Sequence, residues 1–214
     1  MARVLAAVLL LLLAGCGADS GSGSDSGSNS GAPVTGITRS DDDGYHGILL
    51  DQPYAVPGLA LTDTEGKPFD LASQSRRTLV FFGYTNCPDI CQVVMSTIAS
   101  AMTRLTPAEQ EQLEVAFVTT DPARDTRPVL RSYLDRFNPD FVGVTGSLDR
   151  IDTLAKPLGV FIKRGQKLPS GGYEVDHSTV VVSVRQGAGD LLWTGATSPS
   201  DMAEDLQQIL EEDA

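Results

Sequence analysis

Thr78-Leu79-Val80-Phe81-Phe82-Gly83-Tyr84-Thr85-Asn86-Cys87-Pro88-Asp89-Ile90-Cys91 decides the fold, because it reads as a strand delivered through a loop into a helix. The run from Thr78 to Phe82 is continuously apolar or β-branched, as in a strand buried on both faces. Gly83 ends it, and Tyr84 to Asp89, with Pro88 inside, reads as a loop. Val94, Ile98, Met102 and Leu105 then recur at helical spacing, which predicts a helix from about 90 to 105. Cys87 and Cys91 therefore straddle a helix N-terminus, where unpaired N–H groups and the positive end of the dipole favour thiolate over thiol. Residues four apart on a helix place their Cβ atoms about 5–6 Å from each other. A disulfide needs about 3.8 Å, so with Cys87 just outside the helix the pair can either close into a disulfide or open to clasp a soft metal ion.

Further along the chain, strand and helix signals alternate. Leu59 to Thr62 reads as a short strand, and Glu65-Gly66 as a turn towards Phe69 and Leu71. Thr106 before Pro107, with Glu109 three positions on, is the signature of a capped helix start. Glu114 to Thr120 reads as a strand with Val115, Phe117 and Thr119 on one face. Asp125 or Thr126 is placed to cap a helix from Pro128 to Phe137, which Asn138-Pro139 stops. Phe141 to Val144 is a short strand, Ser147 opens a helix through Leu158, and Gly159 to Lys163 is a further strand before a Gly-rich hairpin at Ser170 to Gly172. Thr179 to Val184 and Leu191 to Thr194 pair across a turn at Gln186 to Asp190, and a last helix spans Pro199 to Leu210. The pattern predicts an α/β fold, a mixed central sheet flanked by helices with an extra hairpin.

Composition restricts the function classes. The chain has 214 residues and carries 28 acidic against 16 basic side chains, a formal charge of -12. Phosphate neutralisation needs clustered Lys and Arg, so a nucleic-acid role is excluded, as is adhesion to anionic lipid through basic residues. Three cysteines are too few for a disulfide framework, and a folded part of roughly 165 residues would bury about 70% of its unfolded surface without one. The first cysteine belongs elsewhere. Arg3, the apolar run Val4 to Ala14, then Gly15 and Cys16 describe an export signal, too short to span a bilayer, which needs about 20 helical residues. Leu13-Ala14-Gly15-Cys16 resembles the bacterial lipobox, and the resemblance implies that Cys16 becomes the lipidated first residue. Residues 1–15 are thus read as signal peptide, residues 16–44 as the lipidated cysteine and a Gly/Ser/Asp linker that cannot bury apolar surface, and residues 45–214 as the folded domain. A tether of about 30 residues would reach about 30 Å, holding that domain off the extracytoplasmic face of a bacterial cell membrane.

The cysteine stretch resembles the copper-binding loop of the Sco (SenC/PrrC) family. Thr119-Thr120-Asp121-Pro122-Ala123-Arg124-Asp125-Thr126 is similar to that family's Asp-Pro segment, and Tyr133 to Gly146 to the block after it. Val175-Asp176-His177-Ser178 is similar to the segment supplying its histidine ligand. The resemblance implies a thioredoxin-like fold and copper held by Cys87, Cys91 and His177. Thiolates select Cu(I), and an added imidazole lets Cu(II) bind as well. It also implies delivery of copper to the CuA centre of cytochrome c oxidase, the partner being the CuA-bearing subunit or another copper chaperone. The alternative is an extracytoplasmic thiol-disulfide oxidoreductase with Cys87 and Cys91 as the catalytic pair, and a redox or copper sensor is a third class. The family's Pro after the second cysteine is replaced by Gln92, which bears on loop rigidity and leaves both thiols intact. Among the remaining residues, His46 reads as an exposed turn residue with accessory metal binding as its sharper role. Met95 reads as core or lip, with approach to a soft metal as its sharper role, Met102 as core, Asp121 as a turn organiser rather than a metal ligand, and Asp125 as a helix cap. Trp193 reads as packing, with contact to a partner as the alternative.

Overall fold

The computed structural model describes residues 44–88, 90–167 and 173–214, without the side chains of 164–167 and 173–177. The export signal, Cys16, the linker as far as Asp43 and the hairpin tip at Ser170 to Gly172 lie outside the described residues, as does the side chain of His177.

Strands β1 (Ile48–Ala55), β2 (Ala60–Asp63), β3 (Pro68–Asp70) and β4 (Arg77–Gly83) precede helices α1 (Ile90–Met102) and α2 (Pro107–Glu111). Then come β5 (Leu113–Thr119), α3 (Arg127–Leu134), β6 (Val142–Thr145) and α4 (Leu148–Ala155). The chain closes with β7 (Ile162–Lys167), β8 (Tyr173–His177), β9 (Val180–Arg185), β10 (Ala188–Thr194) and α5 (Pro199–Glu212). Eight strands form one sheet in the order β1-β10-β9-β4-β5-β6-β2-β3, while β7 and β8 make a separate two-stranded ribbon. β4, β5 and β6 run parallel, and the remaining neighbours are antiparallel. The expected mixed sheet is therefore present, with β4 buried along its whole length between β5 and β9.

Alternation along the central strands builds two cores. Leu79, Phe81, Val115, Phe117 and Val181 pack beneath Val94, Met95 and Ile98 of α1, Leu130 and Leu134 of α3, and Leu206 and Ile209 of α5. Val80, Phe82, Ala116, Val118 and Val182 face the other way, onto Ile151 and Leu154 of α4. Among the described residues no helix is long and apolar enough to cross a membrane.

Several boundaries differ from the sequence reading. α1 ends at Met102, after which Arg104 and Leu105 make tighter bonds to Ala101 and Met102, although Leu105 stays in the core. Gly159 does not start a strand: it caps the 3-10 turn Lys156–Leu158 at φ 69°, and β7 begins only at Ile162. β1 carries no sequence signal of its own. It is an edge strand with Pro53 inside it and an irregular register between Leu49 and Tyr54, which is where proline is tolerated in a sheet.

Candidate metal centre

The carboxyl ends of β4 and β5 create the site. Gly83 closes β4, and a Cβ there would lie 2.9 Å from Phe81 and 3.0 Å from Phe117, so any larger residue would push the loop off the two rings. The Gly83 carbonyl accepts from the Thr120 amide at 2.7 Å, tying the ends of both strands together. The chain then turns, the Cys87 amide donating to the Tyr84 carbonyl at 3.2 Å. α1 opens at Ile90, and the Cys91 amide donates to the Cys87 sulfur at 3.4 Å. One sulfur thus serves an otherwise orphaned N–H of the helix N-terminus beside the other thiol. Cys87 is 5% exposed and Cys91 fully buried, and no disulfide joins them.

Burial opposes charge at Cys91. The helix end favours a thiolate, yet desolvation pushes the Cys91 thiol well above its ordinary range, neighbouring Cys87 adds to the rise, and a backbone hydrogen bond from Tyr84 offsets part of it. Burial thus works against the pull of the helix end on this thiol. A thiol that takes a metal ion gives up its proton to do so. Soft, adjacent sulfurs are a donor set suited to copper in its lower oxidation state.

Asp125 holds the loop from below. It is not the cap of α3: Thr126 occupies that position, without a side-chain cap bond. The fully buried Asp125 carboxylate instead accepts from the Thr85 amide at 2.9 Å, the Thr85 hydroxyl at 2.6 Å and the Thr119 hydroxyl at 2.7 Å. Asp121 organises the turn, its carbonyl accepting from the amides of Arg124 and Asp125 and its carboxylate pairing with the Arg124 guanidinium. That guanidinium lies over the Tyr84 ring. The sequence reading did not assign Thr85 or Thr119 to the site. Thr85 lies in the cysteine loop and Thr119 in the Asp-Pro segment, and neither stretch shows which buried carboxylate would hold it.

Backbone register places His177 at the end of β8, paired with Ile162 of β7. Three residues later β9 begins, and it runs antiparallel to β4 with Val181 opposite Phe81. The start of β9 and the end of β4 therefore lie at the same end of these two neighbouring strands, where the cysteine loop emerges. The other singled-out residues have structural partners. His46 is exposed, its ring 3.1 Å from the Glu204 carboxylate, which raises the imidazole pKa through their hydrogen bond. Among the described residues no three His, Cys, Asp or Glu side chains gather into a metal cluster. Met95 and Met102 are core. Trp193 is fully buried, its indole N–H donating to Asp205 at 2.7 Å, which leaves it no surface for a partner. Gln92 is exposed on the first turn of α1.

The family model described as SCO1/SenC matches residues 52–211. A Stutzerimonas stutzeri relative whose name carries copper binding is 36% identical over 133 residues, 61% of this chain and 64% of its own length. Apo Sco1 from Thermus thermophilus is 33% identical and superposes with a TM-score of 0.70 over 77% of this chain and 96% of its own. Bradyrhizobium japonicum ScoI with copper bound is 27% identical, with a TM-score of 0.64 over 72% of this chain and 98% of its own. The chain spans less than two thirds of the length of the curated relatives it matches. These likenesses agree with the thioredoxin-like expectation for the fold.

Proposed function

The chain belongs to the SCO1/SenC family, and from that premise we propose that it is a copper metallochaperone that binds copper through Cys87, Cys91 and His177 and assists maturation of the CuA centre of cytochrome c oxidase. The observation that carries this reading is the sulfur pair itself: two buried thiols, one accepting the other's amide proton, on a loop pinned at both ends. A copper-bound solved relative supports it. Bound copper supplies a soft cationic cargo that can change oxidation state. The chain's own part is to release the Cys91 proton on loading, to keep both sulfurs out of bulk water, and to present His177 from the neighbouring ribbon. Lipidation at Cys16 and residence on the extracytoplasmic face of the cell membrane belong to the same proposal, with the acidic domain reaching its target across the tether.

Metal analysis tests it. The reduced wild type is expected to retain copper that the Cys87→Ser/Cys91→Ser double variant loses, and equal retention by the two would sink the proposal. The second reading, dithiol exchange, draws on the same adjacency of the sulfurs. A spacer of Pro88, Asp89 and Ile90, one residue longer than in thioredoxin motifs, counts against it. His177→Ala separates the two: it should cripple copper retention and largely spare exchange with a peptide disulfide. Full retention by that variant would remove the histidine from the ligand set.

A further inference from the structure

Among the described residues three large apolar side chains are exposed, and all of them border the metal centre. Val93, Val129 and Phe161 are 52%, 40% and 57% exposed, and none belongs to either core. Val93 stands on the first turn of α1, two residues past Cys91. Val129 of α3 lines a shallow cleft together with Thr85 of the cysteine loop and Arg136. Phe161 is tied to the residue after His177, its amide donating to the Ser178 hydroxyl and its carbonyl accepting from the Ser178 amide, both at 3.4 Å. A single exposed apolar residue needs no explanation, but here each adjoins a different segment of one site, which marks a surface kept for a partner.

Charge indicates the kind of partner. Residues 84–93, 121–136 and 161–178, which hold these side chains and the centre, carry seven basic against six acidic side chains, whereas the rest of the chain carries nine against 22. Two of the six, Asp121 and Asp125, are buried. Arg127 and Arg136 are exposed before and after Val129, and Lys163 is exposed two residues after Phe161. In contrast, α5 carries acidic side chains and no basic one. Cations therefore border the centre of a protein whose remaining charge repels anions. A second copy docking through the same face would set these cations against each other, which disfavours self-pairing. A face with exposed carboxylates is attracted here and turned away elsewhere.

We propose that Val93, Val129 and Phe161 form a docking surface for a protein partner whose own apolar patch is rimmed by carboxylates, with Arg127, Arg136 and Lys163 setting its orientation over the metal centre. Apolar contact supplies the affinity, and charge selects the face. The assignment rests on the copper reading above, so the probe is the CuA-bearing subunit of the oxidase in its copper-free form.

The affinity of the copper-loaded full chain for that subunit is the test. Val129→Ser/Phe161→Ser is expected to bind about tenfold more weakly while retaining as much copper as the wild type. Arg136→Glu should bind about fivefold more weakly at low ionic strength. That deficit should close near about 1 M salt, where charges are screened beyond about 3 Å, whereas the apolar variant keeps its own. Equal binding by the wild type and the apolar variant, or no binding by the wild type, overturns the proposal. An Arg136→Glu variant that binds as tightly at low salt does so too, because it removes the carboxylates from the partner. Weaker binding accompanied by lost copper would place the substituted residues in the centre itself and likewise overturn it. Self-association of the full chain that the same substitutions abolish would give the surface to a second copy, with the same result. Copper retention keeps the two readings apart. If the wild type retains no more copper than Cys87→Ser/Cys91→Ser, the copper reading fails and the choice of partner with it. If it retains copper and the variants bind the subunit as it does, only the docking surface fails.

Discussion

Asp125 shows what one buried carboxylate does for a loop that must hold two thiols still. Thr85 spends both its amide and its hydroxyl on that carboxylate, and Thr119 adds a third bond from the end of β5. Asp125→Ala would strand all three donors, and with hydrogen bonds to charged groups worth about 1.5–3 kcal/mol each, a net loss of about 3 kcal/mol is expected. Asp125→Asn should cost only about 1 kcal/mol, because its amide oxygen can accept two of the donors while its NH2 donates to a rotated Thr85 hydroxyl. Urea denaturation of the apo protein measures both, and equal losses would show that the charge alone matters. The reactive residues were legible in the sequence because a short spacing near a helix start is local information. The role of Asp125 was not, since its partners Thr85 and Thr119 come from two other segments. The opposing effect of burial on Cys91 was hidden for a similar reason: helix position shows in the sequence, whereas depth of burial depends on tertiary packing.

Elements whose patterns are strong and local were read closest to their true bounds. α2 has the complete capping box between Thr106 and Glu109 that its sequence announces, and α5 starts at Pro199 behind a Ser198 cap. β1 was invisible because Pro53 breaks its pattern and most of its side chains are exposed or half-buried. Its entry depends on other elements: the buried Asp205 carboxylate of α5 accepts the His46 and Gly47 amides, both at 2.8 Å, as well as the Trp193 indole. The β9–β10 hairpin was expected, but not its strain. Both turn residues have positive φ, 50° at Gln186 and 78° at Gly187, the pattern of a type I′ turn. Gly187 suits that backbone, whereas glutamine adopts it poorly. Gln186→Asn should therefore stabilise the fold by about 0.5–1 kcal/mol, asparagine being favoured in this turn. A lower thermal midpoint for the variant would show that the Gln186 side chain contributes a contact outweighing the strain.

Across the whole molecule, stability and chemistry are placed at opposite ends of β4. The cysteine loop leaves its carboxyl end, whereas Arg77 starts the strand, about 20 Å away at the rise of an extended chain. The Arg77 guanidinium is 2% exposed and donates to Asp213 at 2.8 and 3.0 Å, to Asp190 at 2.7 and 2.8 Å and to Ser183 at 2.6 Å. It thereby joins β4, β9 and β10 to the end of α5. Burial alone would raise the Asp213 carboxyl, but Arg77, helped by Arg185, outweighs it and holds the group below its ordinary range. A carboxyl depressed in the folded state contributes stability that is complete above its unfolded pKa of about 3.9 and is lost as pH falls through the folded value. Arg77→Met should lower the stability at pH 7 by about 3 kcal/mol, the cost of leaving the acidic partners of a buried cation uncompensated. The same variant should lose less than the wild type on going from pH 7 to pH 3, because the depression of Asp213 disappears with its cause. Urea midpoints at the two pH values test this, and parallel losses would show that Asp213 is not the group responsible. Since sites this far apart act independently, copper retention per folded molecule should be unchanged in Arg77→Met. A variant that also lost copper would mean that the strand transmits disturbance along its length, and that the two ends of β4 are one cooperative unit.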